Sequence, residues 1–182
     1  MRLLSTMMIA MLGSTMAGCG TQAPTESAPP ADAAPQANQA VRVEGDLGQV
    51  MRGILFPNSN IIFDAQNTDP VEKAKKTESP YGNVYSGWME VENAAIALAE
   101  AANLIGIPGR LCMNGKPVPL DQADWAGFVQ GLRDGAQASY KAAQTKNQDE
   151  IVNAAGTLTD ACSACHEKYR EKPDLANRCT PL

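Results

Sequence analysis

The 182-residue chain predicts an all-α domain, an antiparallel up-and-down bundle of four helices. Three observations carry that prediction. Alanine is abundant, aromatic residues make up only 5% and β-branched runs are scarce, which favours helix over strand. Apolar residues recur at intervals of three and four through three long stretches, the spacing of one helical face. With 44% apolar residues, the chain also has enough hydrophobic material to fill one core of ordinary size. The formal net charge of −5 opposes a nucleic-acid surface, which needs a basic field.

Residues 1–18 read as an export signal. In MRLLSTMMIAMLGSTMAGC, one Arg near the start precedes an apolar, small-residue run and then small residues before a cysteine. The run is too short for a membrane span. Met16-Ala17-Gly18-Cys19 fits a bacterial lipobox, so Cys19 is the expected lipidated amino terminus; the alternative is an ordinary signal cut at Ala17 or Gly18. Gly20 behind Cys19, rather than Asp, resembles outer-membrane sorting. The expected location is the bacterial periplasm, with the lipid in the outer membrane. Residues 19–42, rich in Ala, Pro, Gln and Ser, bury too little surface to offset their ordering entropy and read as a disordered tether.

Residues 43–182 form the predicted domain. In the first helical segment, Leu47 to about Gln66, the inward set is Leu47, Met51, Ile54, Ile61, Ile62 and Ala65. Pro57 interrupts it: its ring crowds the Gly53 carbonyl and it lacks an amide donor, so a kink or break is expected. The second seam is Trp88, Val91, Ala95, Leu98, Ala102 and Ile105. The third, starting behind Asp121, is Trp125, Val129, Leu132, Ala136, Tyr140 and Ala143. The fourth is Ile151, Ala155, Leu158, Cys162, Cys165 and Tyr169, so two cysteines lie on its buried stripe. The connection from Asn67 to Gly87 is long, the one from Gly106 to Leu120 is rich in Gly and Pro, and the one near Asn147 is short.

The fourth seam ends in CSACHEKYR, residues 162–170, and His166 in it is the one histidine of the chain. In C-x-x-C-H the thiols at i and i+3 share one side of a helical turn. Both can add to the vinyl groups of one haem, while the next residue's imidazole points at the iron. The expected cofactor is therefore one covalently attached haem c. Three other readings compete. A redox C-x-x-C usually opens a helix in a βαβ context, whereas this one closes a helix. A zinc site would need Cys112 and Cys179 as further ligands. A structural disulfide or a buried, satisfied histidine is the plain alternative.

CSACHEKYR near the carboxyl end of a four-helix segment resembles the class II cytochromes c, the cytochrome c′ and c-556 group, over Asp46 to about Arg170. The resemblance implies a haem on the last helix, thioethers from Cys162 and Cys165, His166 as proximal ligand and Arg170 beside the proximal pocket. The tether, the long first loop, Pro57, Cys112 and the tail with Cys179 depart from that pattern.

Bundle geometry nominates a sixth ligand. In an up-down-up-down bundle the start of the first helix and the end of the fourth share one end. At 1.5 Å per residue, Met51 and His166 both lie roughly 6–8 Å from it. Beyond the export segment the methionines are Met51, Met89 and Met113. Met89 begins the second helix at the opposite end, and Met113, in a loop at the correct end, is the fallback. The haem-packing pocket should include Leu55, Leu98, Ala102, Trp125 and Val129. With Met51 bound, a raised potential suits one-electron transfer. With the sixth site open, the same pocket would take a small neutral gas such as nitric oxide or carbon monoxide. Catalysis has little support, because no distal acid–base residue can be identified.

Cys112 and Cys179 both fall at the haem end, and export makes a disulfide between them the expectation, against two free thiols. Gly127, Gly131 and Gly135 form a stripe at i, i+4 and i+8 on the third helix that implies a close approach, by a neighbouring helix, the porphyrin edge or a second subunit. Lys73, Lys75 and Lys76 read as a solvated face or a docking patch for a redox partner. Expected partners are thus redox proteins, the membrane through the lipid anchor and, as an open option, a second copy in a homodimer; nucleic acid is not among them.

Overall fold

The computed structural model describes residues 41–76, 78, 82 and 84–180. Residues 1–18, Cys19 and the tether up to residue 40 lie outside the described residues. The described residues are helical with no strand; one isolated antiparallel bridge joins Leu111 and Pro117. Among them, no helix is long and apolar enough to cross a membrane.

The first helical segment begins with α1 (Leu47–Val50), passes through one π-helical turn (Met51–Leu55) and continues as α2 (Phe56–Asp64). Asp46 caps its start: its carboxylate accepts from the Gln49 amide (2.7 Å), and the Gln49 side chain accepts from the Asp46 amide (2.9 Å). The break expected at Pro57 takes the form of the wide turn just before it. The Phe56 amide reaches back five residues to the Met51 carbonyl, so the ladder slips by one residue where Pro57 has no donor to give and would crowd the carbonyl of Gly53. That slip rotates the helix face. The inward residues are Leu47, Val50, Leu55, Ser59, Ile62 and Ala65, with an interval of five across the π turn, while Met51, Ile54 and Ile61 are half-buried rather than central.

A short helix unexpected from the sequence, α3 (Pro70–Lys75), lies in the long connection. Asp69 caps it by accepting from the amides of Val71 (2.7 Å) and Glu72 (3.3 Å), and Pro70 occupies the first turn, where its missing amide costs nothing. Its lysines form ion pairs within the chain, Lys75 with Glu72 (2.6 Å) and Lys73 with Asp64 (3.1 Å).

The remaining helices are α4 (Trp88–Ile105), α5 (Trp125–Thr145) and α6 (Gln148–Tyr169). The α4 seam is buried as its spacing predicts, from Val91 at 1% exposure to Ala102 at 0%. α5 starts one turn later than expected, with Asp124 rather than Asp121 before it. Lys146, in the left-handed region (φ 55°), ends α5, and Asn147 caps α6 through the amides of Asp149 (2.9 Å) and Glu150 (3.4 Å). α4 packs on α5, α5 on α6, and α2 on both α4 and α6.

The α5–α6 seam depends on one glycine. A Cβ on Gly135 would sit 2.9 Å from the Leu158 Cα and 3.3 Å from its nitrogen. Gly131 would meet only Ala161 Cβ at an ordinary 3.7 Å, and Gly127 faces open space. The close approach inferred from the stripe is therefore made at Gly135 alone, to backbone that cannot bend aside. Gly135→Ala is expected to destabilise the domain by about 1–3 kcal/mol, whereas Gly127→Ala should be neutral or stabilising; chemical denaturation of the two variants checks this.

Candidate functional site

One end of the domain is assembled from five segments distant in sequence. The loop between α4 and α5 folds back as a tight hairpin: the Cys112 amide donates to Lys116 O (2.7 Å) and the Val118 amide to Arg110 O (3.0 Å). This hairpin holds the start of α1, because the Leu47 amide donates to Leu111 O at 2.8 Å. Buried Arg110 adds bonds from Nε to Leu104 O (2.8 Å) and from Nη1 to Gly45 O. The end of α6 is fixed to the start of α5. Lys168 forms an ion pair with Asp124, the Tyr169 hydroxyl donates to Asp124 Oδ1 (2.6 Å), and Tyr169 meets Trp125 edge-on with ring centroids 5.0 Å apart.

The tail after α6 closes the same end. Cys112 and Cys179 form a disulfide with Cα atoms 6.5 Å apart. That bond removes the two extra thiolates a zinc site would need, and among the described residues no group of three His, Cys, Asp or Glu side chains converges on one point.

Between α1, the π turn, α2, α4, α5 and α6 lies a cavity of about 580 Å³, within the range of small-molecule and cofactor sites. Cys162, Cys165 and His166 lie on one side of its wall, and Met51 and Met113 are also on the wall. Of the residues expected to pack there, Leu55, Leu98 and Trp125 line it, and Arg170 does so beside the imidazole. Ala102 and Val129 do not. Ala102 is fully buried one turn beyond Leu98, inside the helix seam, and Val129 is turned about 100° from its neighbour Phe128, which does reach the cavity. The sequence reading missed Phe56, Phe63, Phe128 and Arg178 on this wall. At Phe128 the available signal was an aromatic ring one turn beyond Trp125 on the same helix.

The electrostatics of the motif fit ligation better than thiol redox chemistry. Burial raises the Cys162 thiol above its ordinary value; burial, then Cys162 and Asp124, push Cys165 up to about 11. A thioredoxin-like pair needs lowered thiol pKa values. Burial, with help from the Arg170 charge, lowers the His166 pKa, which favours the neutral imidazole that binds metals. Lys168, then Tyr169, hold the Asp124 carboxyl low, and burial followed by the bond to Asp124 raises the Tyr169 phenol.

A haem fits the residues present. The cavity has two thiols and an imidazole at the required spacing, aromatic and aliphatic walls, and two buried donors without partners. Trp125 Nε1 and Arg178 Nε are the buried side-chain nitrogens or oxygens lacking a hydrogen bond among the described residues, and both residues line this cavity. Buried orphan donors are costly, and a ligand bearing acceptors would satisfy them.

Residues 120–170, which span α5 and α6 through Arg170, match the family model for Cytochrome C'. No curated protein and no solved structure matches the chain. The family match, falling on the two helices that carry C-x-x-C-H and its packing partner, supports assigning the chain to the class II cytochrome c family and with it a c-type haem.

Proposed function

We propose that the chain is a lipid-anchored, extracytoplasmic monohaem cytochrome that carries single electrons, built as an antiparallel four-helix bundle with its cofactor on α6. The observation that carries this reading is the convergence of Cys162, Cys165, His166 and Met51 on one cavity. When bound, a haem c supplies a one-electron iron couple. Cys162 and Cys165, one helical turn apart, provide two covalent anchor points on the same side of α6. His166, held neutral by burial, offers a nitrogen lone pair to the metal. Met51 offers a soft thioether from the π turn, and His/Met ligation raises the reduction potential. Leu55, Leu98, Trp125 and Phe128 exclude water from this face, which acts in the same direction.

The membrane role rests on Cys19 as the acylated terminus and on residues 20–42 as a spacer holding the domain off the outer membrane, on its periplasmic face. Redox proteins are the expected partners of the exposed end, where Phe56 (64% exposed) and Met113 (45%) flank the cavity.

The ligand set is tested by Met51→Ala. Reduced wild-type protein is expected to show a sharp low-spin α band. The variant should become high-spin and acquire a carbon monoxide-dependent change. A wild-type spectrum that is already high-spin and responds to carbon monoxide would instead establish five-coordinate, gas-binding iron on the same scaffold. Retention of a low-spin spectrum in Met51→Ala would move the ligand to Met113, whose sulfur lies 3.2 Å from Arg52 Nη1.

A further inference from the structure

The segment beyond α6 is held to the rest of the domain at several points. Asn114 Nδ2 donates to the carbonyls of Arg178 (2.8 Å), Leu175 (3.2 Å) and Ala176 (3.2 Å), and Asp174 accepts from the Ala176 amide (3.0 Å). The Cys179 amide donates to Tyr169 O at 2.8 Å, and the Cys112–Cys179 bond fixes the segment to the α4–α5 hairpin. Cys179 itself has φ of 62°, a left-handed conformation that a non-glycine residue keeps only when its surroundings over-determine it.

All of this restraint bears on the residue next to the disulfide. Arg178 lines the cavity, and its Nε is buried without a hydrogen-bond partner. Among the described residues no carboxylate forms an ion pair with it. Glu171, the carboxylate on the same wall, is taken by Arg170, with Nε at 2.8 Å and Nη2 at 2.5 Å. The second orphan donor, Trp125 Nε1, is neutral and belongs to the same wall. A buried guanidinium donor with no acceptor is strongly unfavourable unless an anion completes it, and a carboxylate suits its planar fork. Haem bears two propionate carboxylates.

We propose that the disulfide-anchored tail exists to present Arg178 to a carboxylate of the bound cofactor, a porphyrin propionate, with Trp125 Nε1 as a neutral donor to the same anionic edge. This rests on the haem reading given above. The bridge and the Asn114 bonds are then positioning devices: they set Arg178 in place before the cofactor arrives, so little ordering entropy remains to be lost on binding. Arg178 also becomes a fixed positive charge near the iron, which favours the reduced state.

The test is redox titration at one pH of the full chain, purified as holoprotein from cells competent in cytochrome maturation. Arg178→Gln, which removes the charge, is expected to shift the reduction equilibrium about tenfold toward the oxidised form, ~59 mV for one electron. Arg178→Lys, which keeps the charge, should stay within about twofold of wild type. Cys112→Ser/Cys179→Ser, which releases the tail, should shift the potential in the same direction as Arg178→Gln. A coloured Arg178→Gln protein whose potential lies within about twofold of wild type overturns the proposal, as do Gln and Lys variants that change alike. A wild-type protein without haem overturns the cytochrome reading itself, an outcome visible before any titration.

Discussion

A Cys162→Ser/Cys165→Ser variant is expected to contain no covalently held porphyrin and to lose its native packing with it. The two thiols are the proposed anchors, and no other free cysteine lies among the described residues to replace them. Without the cofactor the cavity of about 580 Å³ has no filling. At about 24 cal/mol per Å³, a void of that size costs up to ~14 kcal/mol, an upper bound because the cavity opens to solvent. That is comparable with the whole stability of a domain, about 5–15 kcal/mol. The variant should therefore show reduced helical circular dichroism, a broadened unfolding transition and no haem stain after denaturing electrophoresis. A single Cys→Ser variant keeps one thioether and should retain colour. A colourless double variant with the cooperative unfolding of wild type would mean that the cavity does not depend on a cofactor.

Breaking the tail disulfide should give the next largest effect. Cys112 and Cys179 are 67 residues apart, and closing a loop of that length constrains the unfolded chain by about 4 kcal/mol. The hairpin and the tail are otherwise joined by the three bonds of Asn114, and the Cys179 amide ties the tail to Tyr169 of α6, so reduction loosens the tail without dismantling α4, α5 or α6. Cys112→Ser/Cys179→Ser is expected to lose about 2–5 kcal/mol and to lower Tm by on the order of 10 °C. Calorimetry with and without a thiol reductant checks it: the reductant should lower wild type to the level of the variant and leave the variant unchanged. A loss below about 1 kcal/mol would show that the unfolded chain was not the state being constrained.

The three long helices were legible in the sequence because each obeys a single period. Val91, Leu98 and Ile105 of α4, or Ile151 and Leu158 of α6, recur at multiples of the helical repeat, and the structure buries them. The first helix obeys no single period. Its π turn inserts one residue between Val50 and Leu55, so a face extrapolated at 3.6 residues per turn selects Met51 and Ile54 instead. Pro57 announced a disturbance, but the sequence did not distinguish a kink from a slipped ladder. α3 was overlooked although Asp69-Pro70 is a capping signal, because six residues are too few to show a period.

The site was legible to the extent that it is local. C-x-x-C-H lies within five residues of α6, and Cys112 with Cys179 followed from placing one loop and one tail at the same end. Cavity walls are set by helix rotation, which sequence spacing fixes only to within a residue. Hence Phe128 stands where Val129 was expected, and Ala102 sits in the seam behind Leu98. Arg178 had no sequence signal of its own. Its position depends on a disulfide, an asparagine in a hairpin 64 residues earlier and a left-handed residue beside it.

Covalent attachment of haem to α6 can be read from mass spectrometry of the proteolytic peptide containing Cys162, Cys165 and His166, taken from chain exported by cells competent in cytochrome maturation. One peptide that absorbs visible light and is heavier than its amino acids by one haem is expected, with neither thiol open to alkylation. A colourless peptide of unmodified mass, alkylated at both cysteines, would contradict it.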